Sequence, residues 1–550
     1  MKEKRWVVAP RVKEDLIEQL LYNRQITDEV EKNKFFNPSL DPQPLISKDQ
    51  LKKAIKRIRQ AVEGKEPIVV YGDFDVDGVT STALLWETLN KFGAKVTPYI
   101  PHREKEGYGL SEGAIKEIAE KRVKLIITVD CGINAVSEVA LANSLGIEVI
   151  VTDHHHRQED LPEALAILHT TDLAGVGVAY ELSTAIFKEF GQIIPVEALD
   201  LVALGTVADM VPLLGKNRSL VKHGLKQLNQ TTRFGLQAMM VEAGVKVGSL
   251  GTYEIGFMLA PRLNAMGRME HAMDSLRLLL TTRKERAENL AQRLGETNAQ
   301  RQRLTLETID HARTIYADAE KGKKILVLSH EGWQQGVIGL VAGRLADELG
   351  RPVLAVSRGE ELSKGSARSI GGFNIIDAIC SCSDILVSHG GHPQAAGFTL
   401  ETKNLAEFEK RLVSWAEDKL KDEDLTPLLK VEAEVTPDQI SFETIRQLRQ
   451  FEPFGMGNPE PIFLGRGFEV KDFRTVGSDG KHLKLRLGAE VMGAWKRQGV
   501  YEAIGFGLGE WKLKLRPGMK VDVAFVLEED NWNGNKKLQL KVKDLKLAHN

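Results

Sequence analysis

The chain has 550 residues, 42% of them apolar, and its 74 Lys and Arg nearly balance 76 Asp and Glu to leave a formal net charge of −2 and a pI near 6.7. That length implies three or more domains, each with its own core, while the near-neutral balance lacks the overall basic signature of a nucleic-acid binder. Three cysteines, Cys131, Cys380 and Cys382, are too few for a disulfide framework; no signal-peptide core follows Met1-Lys2-Glu3-Lys4-Arg5-Trp6, and no apolar run approaches the ~18 residues of a membrane span, so a reduced cytoplasmic protein is expected.

Residues 1–65 read as a polar, helical segment, with Phe35-Phe36-Asn37-Pro38-Ser39-Leu40-Asp41-Pro42 as a loop before a helix around Lys52 to Glu63. The apolar run Ile68-Val69-Val70-Tyr71 then ends in Gly72-Asp73-Phe74-Asp75-Val76-Asp77-Gly78. Three carboxylates at alternate positions after a buried strand repel one another, and the usual remedy is a divalent cation among the oxygens. An acidic turn capping a helix near Val79 would need only one Asp.

The same device recurs downstream. Leu125-Ile126-Ile127-Thr128-Val129 ends in Asp130-Cys131-Gly132, and Ile147-Glu148-Val149-Ile150-Val151-Thr152 ends in Asp153-His154-His155-His156. Helical patterns over roughly Thr80–Phe92, Ser111–Lys121 and Asn134–Leu145 separate these runs, so the order predicts a parallel sheet with crossover helices. Ligands of such a sheet sit beyond the carboxyl ends of the strands, where the Asp-terminated ends should converge. Mixed carboxylate and imidazole donors suit manganese, magnesium, iron or zinc, leaning to the harder ions. In Leu204-Gly205-Thr206-Val207-Ala208-Asp209-Met210-Val211-Pro212 a lone Asp either caps the turn before Pro212 or completes the cluster. With so many donors, two ions about 3.5–4 Å apart would use them and would clamp both oxygens of a phosphoryl displacement.

A largely helical stretch continues to about Lys321, and its charged part, Lys284 to Ala312, reads as a long connecting helix. A second α/β unit begins at Lys324-Ile325-Leu326-Val327-Leu328 and closes after Gly397, followed by an amphipathic helix over 404–422. From about Leu429 short alternating strands and the hairpin signal Asn533-Gly534 suggest a small β-barrel. Glu510 to Arg516 and Lys536 to Lys543 alternate basic and apolar residues, which on strands presents one basic face.

Asp73-Phe74-Asp75-Val76-Asp77-Gly78, Val129-Asp130-Cys131-Gly132, Asp153-His154-His155 and Gly205-Thr206-Val207-Ala208-Asp209 resemble the four ordered motifs of the DHH phosphoesterase superfamily. Ala260-Pro261-Arg262-Leu263-Asn264-Ala265-Met266-Gly267-Arg268, Gly336-Val337-Ile338-Gly339, Gly365-Ser366-Ala367-Arg368-Ser369, Gly390-Gly391-His392-Pro393-Gln394-Ala395-Ala396-Gly397 and the Phe451 to Pro461 segment resemble its branch of single-strand-specific 5′ to 3′ exodeoxyribonucleases, over about Phe35 to Leu545. The resemblance implies an α/β protein with an N-terminal segment over 1–65, a parallel-sheet catalytic domain over 66–283, a connecting helix over 284–320, a DHH-associated domain over 321–403 and an oligonucleotide-binding barrel over 424–550. It departs at His169-Thr170-Thr171-Asp172-Leu173, where relatives have an Asn-Pro and a longer loop, and at Gln334 after Trp333, where a His is common.

On this reading Asp73, Asp75, Asp77, Asp130, His154 and Asp209 hold two manganese or magnesium ions, with Asp130 bridging and a bridged water as nucleophile. His155 faces the scissile phosphate and Asp153 orients a neighbouring imidazole. His156 is a surface residue without a role, and Cys131 is either a small filler or redox-sensitive. Asn264, Arg268, Ser366, Arg368, Gly391 and His392 are expected to contact phosphate and sugar, unless Gly390 to Gly397 is only a tight strand-to-helix turn. Arg103 either meets the 5′ end or is a solvated loop residue.

The expected activity is hydrolysis of single-stranded DNA from the 5′ end to 5′-mononucleotides in repair and recombination, by a monomer that meets single-strand-binding protein and a helicase and no membrane. Two other readings compete. Sister oligoribonucleases and cyclic-dinucleotide phosphodiesterases generally lack so long a C-terminal region, and a catalytically silent replication scaffold would not need every carboxylate.

Overall fold

The computed structural model describes residues 4–40, 43–318, 322–477, 479–491, 497–530 and 536–548. Five parallel strands form the first sheet, in the order Lys95–Tyr99, Pro67–Tyr71, Leu125–Thr128, Glu148–Asp153, Ala166–His169. The three central strands are largely apolar and buried on both faces, as crossover helices on either side require, while the two edge strands are only partly covered. The chain starts at Pro67–Tyr71, steps outward to Lys95–Tyr99 and returns past its starting strand to Leu125–Thr128. The two crossovers leave in opposite directions, which opens a crevice beyond the carboxyl ends of these strands. Asp73, Asp75 and Asp77 follow one side of this switch point and Asp130 the other.

Helices begin a few residues from where apolar periodicity puts them. Val76–Lys91 starts inside the acidic motif, because Asp75 is its N-cap and accepts the Gly78 N–H at 3.0 Å. Lys284–Asp318 is the long connecting helix. It leads to a five-stranded mixed sheet ordered Leu386–His392, Ala395–Glu401, Leu362–Arg368, Val353–Ser357, Leu326–His330. The Gly390 to Gly397 segment is a hairpin between its first two strands, so the strand-to-helix turn is excluded. Leu405–Lys419 follows, burying Phe408, Leu412 and Ala416.

The C-terminal region closes into a barrel, because Phe463–Val476 pairs with both His482–Val491 and Lys520–Asp530. Arg497–Gly505 and Lys537–Leu547 complete it. The expected strand over Glu510 to Arg516 is instead a 3₁₀ turn at Gly509–Leu513; within the expected strand only Leu515 is buried, and the lysines point to solvent. Asp41-Pro42, Met1 to Glu3 and the Asn533-Gly534 hairpin tip lie outside the described residues.

The N-terminal segment is not wholly helical. Arg5–Val8 is a strand pairing in parallel with Leu428–Val431, and Leu20, Leu21 and Phe35 belong to the barrel's core. Arg218 is buried and rivets these parts to the catalytic unit, donating to the carbonyls of Phe35 at 2.8 Å, Phe451 at 2.9 Å and Glu452 at 2.9 Å, with its guanidinium 3.8 Å above the Phe35 ring. Among the described residues no helix is long and apolar enough to cross a membrane.

Candidate active site and metal centre

The carboxylates come together. Asp73, Asp75 and Asp130 offer oxygens within 4.8 Å of one another, as do the donor atoms of Asp77, His154 and Asp209. Asp130 touches both groups, since its Oδ1 lies 3.1 Å from His154 Nε2. His154 Nε2 is also 3.6 Å from Asp209 Oδ2 and 3.8 Å from Asp77 Oδ2.

Each side chain is held by backbone that a distant segment supplies. Both oxygens of Asp77 accept backbone N–H groups, from Gly175 at 2.6 Å and Val176 at 2.9 Å. A Cβ on Gly175 would sit 2.5 Å from Asp130 Oδ1, and one on Gly205 would sit 2.9 Å from Asp77 Oδ1. Both positions therefore require the absence of a side chain. Asp130 has φ +62°, a left-handed conformation uncommon for any residue but glycine. Asp209 follows the Leu199–Ala208 helix as its C-cap and points into the same space.

The electrostatics demand a countercharge. Burial, then the neighbouring carboxylates, push Asp73, Asp77 and Asp130 well above the usual carboxyl range and Asp209 up to about 7. Burial pushes His154 down to about 4, so its imidazole is neutral, and a hydrogen bond to the Leu173 backbone leaves Nε2 free. Asp73 Oδ1, Asp130 Oδ1, His154 Nε2 and Asp209 Oδ2 are all buried without a hydrogen-bond partner. Orphaned buried acceptors are rare singly. Four lone pairs converging on one space fit a divalent cation, and the oxygen-rich donor set fits a hard one.

Asp153 plays a different part. Its Oδ1 accepts His155 Nδ1–H at 2.8 Å and the His154 N–H at 2.7 Å, while Oδ2 accepts the Ile133 N–H at 2.9 Å. Burial works against its charge, yet the His155 hydrogen bond holds it below the usual range. Burial likewise opposes charge on His155, but Asp153 outweighs it and raises the imidazole to about 9. His155 is therefore a cation at neutral pH, half-buried beside neutral His154. Tyr108, which sequence reasoning missed, donates to the Asp130 carbonyl at 3.1 Å and lies 3.0 Å from His155 Nδ1. His169 has Nε2 2.7 Å from the His155 carbonyl oxygen.

Beyond the carboxylates lies a group of guanidiniums. Arg103 is not solvated; it packs 5.0 Å over the Phe74 ring, within reach of Asp73 and Asp75. Asn264 Oδ1 accepts the Val76 N–H at 3.2 Å, which ties the Ala260–Met269 helix to the start of the acidic motif. Burial and the charges of Arg103, Arg301 and Arg368 lower Arg268 to about 9. Arg368 Nη1 donates to Ser366 Oγ at 3.1 Å. So many cations in one place call for an anion. Arg301, on the connecting helix, was not singled out from sequence, and its buried Nε has no partner.

Gly391 has φ +151°, and a Cβ there would strike the Ala395 carbonyl oxygen. This keeps the hairpin tight and brings exposed His392 to the opposing unit, where its ring meets His156 at 5.9 Å. Cys131 is buried with its thiol pushed up by burial, which makes it a filler rather than a reactive group. Gln334 caps the Gln335–Leu349 helix without a side-chain hydrogen bond.

Family models described as DHH family, N-terminal domain, DHHA1 domain and RecJ OB domain match residues 67–206, 322–418 and 431–544. The single-stranded-DNA-specific exonuclease RecJ of Bacillus subtilis is 39% identical over 90% of this chain, which spans 63% of that relative's length. RecJ of Haemophilus influenzae is 33% identical over 96% of this chain and 95% of its own. A crystal structure of RecJ from Thermus thermophilus in complex with Mn2+ superposes with a TM-score of 0.85 at 31% identity, covering 99% of this chain and 80% of that one. The complex with Mg2+ gives 0.79 at 29% identity over 99% and 79%.

Proposed function

The chain belongs to the RecJ family of single-stranded-DNA-specific exonucleases, and we propose that it removes 5′-mononucleotides one at a time from the 5′ end of single-stranded DNA in repair and recombination. The observation that carries the chemistry is the convergence of four orphaned donor atoms at the switch point of the parallel sheet. Asp73, Asp75 and Asp130 would hold one manganese or magnesium ion, and Asp77, His154 and Asp209 the other, with Asp130 shared. Bound there, the pair neutralises the phosphodiester oxygens and supplies a deprotonated water.

The residues of the chain do the rest. Asp153 fixes the ring of His155 and keeps it protonated, so His155 presents a charged donor to a non-bridging oxygen as negative charge builds there. Arg103, Arg268, Ser366, Arg368 and His392 receive the terminal phosphate, with Gly391 letting the hairpin backbone approach it. A groove that ends at these groups admits only a free 5′ terminus. The barrel holds the strand farther along, on a concavity of about 400 Å³ where Phe473, Arg474, Lys484, Arg486 and Lys537 stand among the carboxylates of Asp472, Glu502 and Asp530.

The units concerned are residues 66–283, 321–403 and 424–550, with the Lys284–Asp318 helix following the first and Leu16–Asn23 and Glu29–Phe36 packed against the barrel. The protein acts as a cytoplasmic monomer, on strands exposed by a helicase and coated by single-strand-binding protein. The test is digestion of 5′-labelled and 3′-labelled linear single strands, circular single strands and duplex, with manganese, magnesium or chelator. Rapid cutting of circles, digestion from the 3′ end, or undiminished activity in chelator would overturn the proposal. Arg368→Ala and His392→Ala should each lower discrimination between 5′-phosphorylated and 5′-hydroxyl ends by ~1.5–3 kcal/mol, the range for a hydrogen bond to a charged group.

A further inference from the structure

Thr252–Glu254, the π-helical turn Ile255–Leu259 and Ala260–Met269 run on as one helix. Its inner side, including Ile255, Leu259, Leu263 and Met266, is buried in the catalytic unit's core. Near its other end Asn264 meets the acidic motif and Arg268 the guanidinium group. About two and three turns upstream of Asn264 stand Phe257 and Tyr253, which are 71% and 61% exposed. Their rings stack on one another, with centroids 4.8 Å apart and planes 28° from parallel.

Two large rings stacked in the open are unusual where nothing covers them, and π-turns tend to occur at functional positions. The helix also fixes where they lie. At 1.5 Å per residue, Phe257 and Tyr253 are roughly 10 and 16 Å from Asn264 along the axis, on the side away from Arg268. At that end Thr252 donates to the Phe454 carbonyl at 2.7 Å, so the pair borders the segment that leads into the barrel. Val207 and Ala208, just before Asp209, pack with this helix in the same core.

We propose that Tyr253 and Phe257 form a base-stacking platform, which receives the bases of the single strand a few nucleotides to the 3′ side of the scissile phosphate. The inference rests on the single-strand exonuclease reading and adds a binding subsite to it. A base laid on the free ring face extends a stack already formed in the protein, so little side-chain ordering is needed on binding. Stacking of this kind tolerates any base, as an enzyme that must advance through arbitrary sequence requires. The aromatic pair then bridges the stretch between the carboxylates and the barrel groove.

The test uses the full chain in chelator, with single strands carrying 2-aminopurine at successive positions from a phosphorylated 5′ end. Wild-type protein should quench the fluorophore over a window of one or two positions, and Tyr253→Ala or Phe257→Ala should abolish that quenching. With metal restored, either substitution should raise KM for long strands roughly 5- to 150-fold, the range for losing one base–aromatic stack, with little change in kcat. Tyr253→Phe and Phe257→Tyr should behave as wild type. An abasic nucleotide in the window should weaken wild type to the level of the alanine variants and leave those variants unaffected. If the alanine variants match wild type in quenching and KM while wild type cuts single strands, the platform is refuted and the exposed pair serves another partner. If wild type itself neither binds nor cuts single strands, the exonuclease reading fails instead.

Discussion

Asp209→Asn should abolish the metal-dependent hydrolysis and, in the absence of divalent cation, stabilise the protein at alkaline pH. Asp209 is only 19% exposed, its Oδ2 lacks a partner, and burial beside Asp75 lifts its carboxyl from 3.8 to about 7. A carboxyl raised in this way keeps its proton in the folded state after the unfolded chain has released it. Between about pH 4 and 7 the folded state therefore binds more protons, and stability falls as pH rises through that window. A shift of roughly three units at 1.36 kcal/mol each makes the full cost about 4 kcal/mol above pH 7. Asparagine has nearly the same shape and never ionises, so the gap between variant and wild type should close by pH 4. Calorimetry in chelator, following the catalytic unit's transition, should show it melting higher than wild type at pH 8, by about 2–4 °C per kcal/mol. Saturating manganese should reverse the order, because wild type gains the linkage stabilisation that the variant loses. A variant less stable than wild type in chelator at pH 8, or a gap independent of pH, would refute the electrostatic account. Asp77→Asn should gain less, since an amide cannot accept both the Gly175 and Val176 N–H groups.

Asp130→Asn should abolish cleavage and leave single-strand affinity in filter binding nearly intact; Asn tolerates the φ of +62° better than Ala would, which makes it the cleaner variant. Arg218→Met should cost about 3–5 kcal/mol, because it strips hydrogen bonds from several buried carbonyls that join the catalytic unit to the barrel. Limited proteolysis between the two units, with an unchanged core transition in the second α/β unit, would register the loss. Removing residues 424–550 would uncover Leu20, Leu21 and Phe35, so the barrel is better probed by Arg474→Glu and Lys484→Glu. Each should lower the slope of log affinity against log salt by about 1 if it neutralises a phosphate. Unchanged slopes would remove the barrel groove from the strand's path.

The carboxylate cluster was legible because each acidic residue ends an apolar run, and a parallel sheet sends all such ends to one edge. What sequence could not supply was the backbone that holds them. Gly175 and Val176 cradle Asp77 across ninety-odd positions, and nothing local in Leu173-Ala174-Gly175-Val176 marks that use. Tyr108 was missed for the same reason, since Asp130 and His155 are far away in sequence, and Arg301 because the Arg268 it approaches lies on another helix. The Arg5–Val8 strand escaped because its ladder partner is Leu428–Val431. Glu510 to Arg516 misled because alternation is a two-residue rule, and seven residues cannot distinguish a strand from a 3₁₀ turn whose side chains face solvent.

The docking of Leu16–Asn23 and Glu29–Phe36 against the barrel sets an order of events in the cell. These helices are made well before the barrel, since Phe451, Phe463 and Leu545, with which they share a core, follow some four to five hundred residues later. At 5–20 residues per second that is a wait of roughly 20–100 s. The parallel-sheet unit can collapse on its own core in the meantime, while Leu20, Leu21 and Phe35 stay uncovered. The nascent chain thus carries this greasy segment uncovered until the barrel is made, and it is this segment, rather than the catalytic half, that a chaperone has reason to hold.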